Sequence, residues 1–207
     1  MPDGIALTIV NESDDKNNSD IVIFQKNVAA ELSETAVAWQ AIHNLGPGSR
    51  HPLFYSSHFQ VNASDSWGNY TPHLLVRPGD AYQMVESPAG NVLRLYPGPA
   101  SPGEMDVRND LSKGSIAAHI YRDGKLLATR MPIAPGQKAV FGFSSTIFIG
   151  VVSQIEEGQI INAAIISTIH TEFDLLGIKS ADIVMTGGGA GREPKPFVFS
   201  LQNVRYA

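Results

Sequence analysis

Ser115-Ile-Ala-Ala-His-Ile-Tyr-Arg-Asp-Gly-Lys-Leu-Leu-Ala-Thr-Arg130 decides the fold. Asp123-Gly124 is the pair a two-residue type I′ turn requires, because both of its central positions need positive φ. That turn sets a register in which Arg122 faces Lys125 and Tyr121 faces Leu126. One face of the hairpin then carries Ile116, Ala118, Ile120, Leu127 and Thr129, and the other carries Ala117, His119, Tyr121, Leu126 and Ala128. Both faces hold apolar groups. The spacing therefore predicts a strand pair buried on both sides, or covered in part by a partner.

Five Pro-Gly pairs surround this hairpin: Pro47-Gly48, Pro78-Gly79, Pro97-Gly98, Pro102-Gly103 and Pro135-Gly136. Proline presets φ for the first central position of a turn, and glycine accepts the positive φ that a type II turn needs next. The runs between them are rich in Val, Ile, Phe and Tyr. They include Ile5–Val10, Ile21–Gln25, His51–Ala63, His73–Val76, Ala81–Glu86, Val92–Tyr96, Gln137–Phe143, His170–Leu176, Asp182–Thr186 and Phe197–Leu201. Thr146–Gln154 and Gln159–Thr168 are nearly continuous apolar runs, as central strands are. The total is roughly twelve to fourteen strands by alternation. This predicts an all-β fold, a two-sheet antiparallel β-sandwich of jelly-roll or Ig-like kind, with at most one short helix. Residues 29–44 carry both helical and alternating signals, and lean toward a strand over Ala36–Ile42. Asn203–Ala207 reads as a tail, and Gly187–Pro196 as a long loop. Residues 1–207 are read as one domain, with Pro97–Gly103 as the place where it would divide.

Charged residues are 17 % of the 207, below the average of about 25 % for a globular chain. That low density fits a protein that associates with itself. The net charge is −5, and the 15 basic residues do not cluster. Nucleic acid and anionic membranes are therefore not expected as partners. There is no cysteine, which removes disulfides and thiolate sites. Met1–Val10 lacks a basic stretch followed by an apolar one, so no signal peptide is read. The expected location is the cytoplasm, or outside the cell without a cleavable signal. The run Thr146–Val152 is too short to span a bilayer.

Six histidines invite a metal site, with His51, His58 and His73 in one stretch. A sandwich that binds iron or zinc through two histidines and a carboxylate places His-x-His or His-x-Asp/Glu on one strand face. No such pair is present, so the histidines are read as solvated or hydrogen-bonded and no cofactor is expected. Asp14-Asp15 lacks the glycine and terminal glutamate of an EF-hand loop. No Gly-x-Ser-x-Gly elbow exists for a serine hydrolase. Glu156-Glu157 sits in a tight turn rather than across a cleft, as a glycosidase needs. The glycines from Gly187 lead to a strand, where a P-loop leads to a helix. No catalytic residue is assigned. The loop aromatics, Trp67, Tyr70, Tyr55 and Tyr96, are more suggestive. Ser66-Trp67-Gly68-Asn69-Tyr70 puts two rings and an amide in one loop, and a sugar-binding sandwich presents such faces to pyranose rings. Trp67, Asn69 and Tyr70 are the candidate ligand-binding residues; the competing expectation is that Trp67 covers an end of the core.

Leu7-Thr-Ile-Val-Asn11, Val22-Ile-Phe-Gln25 and Val37-Ala-Trp39-Gln40, followed by the turns at Pro47 and Pro78, resemble the rhizosphere-expressed protein family of root-nodule bacteria. The resemblance covers about the first eighty residues and carries no catalytic residue to transfer. It implies a soluble bacterial β-rich protein. Three functions follow from the residues. The first is a non-enzymatic sandwich that acts by binding or self-assembly. The second is a carbohydrate-binding module, and the third is a metal-dependent enzyme using the three histidines.

Overall fold

The computed structural model describes residues 4–17, 19–29, 36–189 and 195–207. It is 58 % strand and 2 % helix, with no helix of seven residues or more, and the all-β fold is established. In chain order the first strands are β1 (Gly4–Asn11), β2 (Asp20–Phe24), β3 (Ala36–Val37), β4 (Gln40–Ile42) and β5 (Arg50–Ser56). Then come β6 (Phe59–Asp65), β7 (Leu74–Val76), β8 (Ala81–Ser87), β9 (Gly90–Leu95), β10 (Glu104–Asn109), β11 (Ile116–Arg122), β12 (Lys125–Ile133) and β13 (Lys138–Gly142). The chain closes with β14 (Thr146–Val152), β15 (Ile160–Ile161), α1 (Ala163–Ile166), β16 (Thr171–Asp174), β17 (Ile178–Gly188) and β18 (Lys195–Tyr206).

These elements gather into two compact units. The first unit holds β1–β5 and everything from β14 onward; the second holds β6–β13. The second unit interrupts the chain of the first twice, briefly at Lys26–Ser33 and at length at His58–Ser144. Pro97–Gly103 does not mark this division. It joins β9 to β10 inside the second unit, where Ala100 donates its backbone N–H to Gly79 O at 2.9 Å. Each unit has two four-stranded sheets. Two pairings are parallel, β1 with β17 and β8 with β10, and the other pairings between named strands are antiparallel.

The first unit consists of sheets β18-β17-β1-β5 and β16-β14-β2-β4, with β15 and β3 as a further pair. Ile21, Val22, Ile23 and Phe24 of β2 are all fully buried, which requires cover on both faces of that strand. Val22 and Phe24 pack with Ala36, Ala38, Ile155, Ile161 and Ile169. Phe24 also stacks on Phe148 at 5.3 Å. Trp39 is wholly buried and meets Tyr55 edge-on at 5.8 Å. Strands β3 and β4 match the strand expected over Ala36–Ile42, while residues 30–35 lie outside the described residues.

Two expectations fail here. Gln159–Thr168 is not a central strand: pairing stops after Ile161 and one helical turn follows. Asn162 explains the switch, because its side chain accepts from Ile165 N at 3.0 Å and caps the turn. Ser167 and Thr168 then donate their hydroxyls back to Ala164 O and Ile165 O, which ends it. The C-terminal tail is also a strand, since β18 runs through Tyr206 with Tyr206 opposite Ile178.

The second unit consists of sheets β13-β10-β8-β9 and β12-β11-β6-β7. The Asp-Gly hairpin has the expected turn, with φ of 53° at Asp123 and 73° at Gly124, and the expected first pairs. A register shift between Ile120 and Tyr121 then sets Ile120 opposite Ala128 and His119 opposite Thr129. Thr129 therefore joins His119 rather than Ile120, and this bulge exchanges the faces as far as Ala118, where a second shift precedes the pair Ile116–Ile133. Strand β10 is absent from the runs read from the sequence, although Glu104, Asp106 and Arg108 alternate with Met105 and Val107 as strand residues do. Its Asp106 is buried and paired with Lys138 Nζ at 2.6 Å. Among the described residues no helix is long and apolar enough to cross a membrane.

Candidate functional site

Strand β6 ends at Asp65, and this residue builds the loop that follows. Asp65 donates its backbone N–H to Asn69 O at 3.0 Å, and Gly68 donates to Asp65 O at 3.1 Å with φ of 84°. This is a three-residue hairpin loop with glycine at its left-handed position. The Asp65 carboxylate accepts from Trp67 N at 2.9 Å, from Asn69 N at 3.0 Å and from the Asn69 amide. It also accepts from Asn91 Nδ2 of β9 at 3.4 Å. Asn69, followed by the backbone donors, holds the Asp65 carboxyl below the usual carboxylate range. Below the loop, Ala63 N donates to Thr71 Oγ1 and Thr71 N to Ala63 O, so both arms are tied.

Two rings project from this fixed backbone. Trp67 is 85 % exposed, so it does not cover an end of the core. Tyr70 is 63 % exposed, and one face of its ring lies on His119 at 5.5 Å. His119 is buried between two hydroxyls, Ser64 Oγ at 3.2 Å from Nε2 and Thr129 Oγ1 at 2.9 Å from Nδ1. Thr129 also donates its hydroxyl to Ala118 O at 3.3 Å. Burial, reinforced by nearby His73, pushes His119 below the ordinary histidine value. His73 in turn packs on Tyr121 at 4.4 Å. The second face of the hairpin is therefore occupied by side chains of its own unit.

Two hollows lie beside the loop, taken together as the two lobes of one groove. The larger, about 590 Å³, is lined by Trp67, Glu86, Asn91, Ser112 and Lys113 among others. The smaller, about 350 Å³, is lined by Asn69, Tyr70, Thr71, Met84 and Gly90 among others. Asp65 and Asn91 line both. Glu86 Oε1 accepts from Ser112 Oγ at 2.5 Å and from Ser112 N at 3.2 Å. These bonds come first in lowering the Glu86 carboxyl, with Lys113 adding to the effect. The 110–114 wall is held by fully buried Asn109, whose amide donates to Gly114 O and Ile133 O while its oxygen accepts from Leu111 N.

The three candidate residues of the loop thus divide by role. Trp67 lines the larger lobe and Tyr70 the smaller. Asn69 spends its amide on Asp65 and positions the loop. Sequence reasoning misses Asp65, Glu86 and Asn91. An Asp three residues before a Gly is a turn signal that was there to be used for Asp65. Glu86 and Asn91 come from the other sheet, and no local pattern announces them. Ser64 and His119 have the spacing of a nucleophile and its base. Tyr70 covers that pair, however, and neither member lines a lobe.

The histidines of the metal reading do not converge. His51 is on β5 in the first unit, and the other two are in the second. The β6–β7 register places His58 level with Arg77 and His73 level with Asn62. Four strand residues separate those levels, or roughly 14 Å. Among the described residues no group of three or more His, Cys, Asp or Glu could hold a metal ion. No family model, curated protein or solved structure matches the chain. The N-terminal resemblance to the rhizosphere-expressed family therefore stands on its quoted residues alone.

Proposed function

We propose that the chain is a non-enzymatic binding protein whose second unit takes a carbohydrate in the groove beside the Asp65–Tyr70 loop. The observation that carries this is Trp67, a large ring 85 % exposed on a backbone that Asp65 holds at four points. Leaving such a ring in water is unfavourable unless a ligand face covers it, and the C–H face of a pyranose does so while its hydroxyls stay polar. Glu86, Asn91 and Lys113 surround the same lobe with acceptors and donors for those hydroxyls. Cleavage of a glycosidic bond would need one protonated carboxyl as general acid. Both groove carboxyls, Asp65 and Glu86, are held low and stay ionised at neutral pH, which favours holding a sugar over hydrolysing it.

Self-association is the companion expectation. Its motives are the low charge density and the two apolar faces of the Tyr121 hairpin, and on the second of those faces Tyr70 and His73 already lie. A glycan array tests the binding reading. The full chain is expected to retain a defined set of sugars, and Trp67→Ala to weaken them at least tenfold, about 1.4 kcal/mol. Sugar binding that survives Trp67→Ala unchanged would place the site elsewhere, and an array without a hit would remove the ligand class.

A further inference from the structure

We infer that the groove takes an uncharged sugar chain of two or more units, one ring in each lobe, laid across the Asp65–Asn91 contact. This rests on the carbohydrate reading of the groove and narrows it. Each lobe alone has the size of a small-molecule pocket, which runs about 300–1,000 Å³. They are neighbours rather than separate sites, because Asp65 and Asn91 line both and are bonded to each other at 3.4 Å. That bond ties the loop to the β8–β9 hairpin and forms the saddle between the lobes.

Each lobe has its own ring, Trp67 in one and Tyr70 in the other. Tyr70 is preset as a platform. His119 occupies its inner face, and the ring is still 63 % exposed, so little side-chain freedom is lost when a ligand covers the outer face. A single sugar meets one ring. A chain meets both, and its second contact is intramolecular, so affinity multiplies without any change in the protein. Charge sets the class. Asp65 and Glu86 are ionised and face one lysine, Lys113, in the larger lobe. That lining repels chains of acidic sugars and accepts neutral ones.

Isothermal titration tests this with neutral β-1,4-linked gluco-, manno- and N-acetylgluco-oligosaccharides of one to six units, and with oligogalacturonate as the acidic chain. In at least one neutral series affinity is expected to rise tenfold or more between one and three units, with oligogalacturonate at least tenfold weaker than the trimer. Tyr70→Ala is expected to weaken the trimer at least tenfold, toward the affinity of the single sugar. Equal affinity from one unit to six, or tighter binding of oligogalacturonate, overturns the inference while leaving a carbohydrate site in place. No binding at any length removes the carbohydrate site itself. The chain-length series uses the unaltered protein, so its outcome does not depend on how Tyr70→Ala folds.

Discussion

The two units use their tryptophans in opposite ways. In the first, Trp39 is fully buried against Tyr55, and β2 is covered on both faces. In the second, Trp67 stands 85 % exposed at the tip of a hairpin loop. The sheet under that loop has one aliphatic face, with Val61, Ala63, Ala118 and Ile120 wholly buried. Its other face carries Ser64, His119 and Thr129 beneath Tyr70. The tryptophan of the first unit serves cohesion, while that of the second is held out to solvent on a polar support, and that contrast is what motivates the proposed site.

The largest expected effect follows from the tryptophans themselves. Trp39→Ala empties a sealed site and should cost the first unit about 3–5 kcal/mol, whereas Trp67→Ala should stay within about 0.5 kcal/mol of the parent. Urea titrations of both variants check this. Equal costs would erase the contrast between buried and presented ring.

Buried asparagines sharpen it next. Asn11 ends β1 and donates to Leu45 O at 2.5 Å, and Asn109 ends β10 and holds the 110–114 wall. Replacing either with Ala strands buried backbone groups, at about 1–3 kcal/mol. Only Asn109→Ala should also weaken sugar binding, because only its loop borders the groove. Titration calorimetry on the two variants separates a site effect from a general loss of stability.

The smallest effect is a pair of opposed pH dependences. His119 has its pKa lowered by burial, so its contribution is complete above the ordinary histidine value of about 6.5 and is lost as pH falls through the lowered one. His43, in the first unit, is raised by its hydrogen bond to Asp20 at 2.7 Å. Its contribution is present below about 6.5 and lost as pH rises through the raised value. Urea midpoints from pH 5 to 8 should therefore lose their acid limb in His119→Asn and their alkaline limb in His43→Gln. Parallel curves for both variants would contradict the opposed environments.

Much of the fold was legible because its signals are local. Asp123-Gly124 fixed a hairpin, and the glycines of Pro47-Gly48, Pro78-Gly79, Pro102-Gly103 and Pro135-Gly136 all take positive φ. What failed to show depends on distant partners. A bulge after Ile120 moved Thr129 to the histidine face, and strand periodicity cannot foresee a bulge. Strand β10 alternates charged and apolar residues, and what its sequence does not announce is that buried Asp106 pairs with Lys138 of the neighbouring strand β13. Asn162 is the exception: its capping bond to Ile165 N is local, and an Asn opening an apolar stretch is itself a helix-start signal. The candidate site was half legible because part of it also depends on distant partners. Trp67, Asn69 and Tyr70 are contiguous, while Glu86 and Asn91 reach the groove from another sheet.

The chain has only two tryptophans, so its amide NMR spectrum holds two indole N–H signals, assignable with Trp67→Phe. Titration with the neutral oligosaccharides should move the Trp67 indole signal saturably and leave that of Trp39 in place. A Trp67 signal that stays fixed while the sugar binds, or a shift confined to Trp39, would contradict the account.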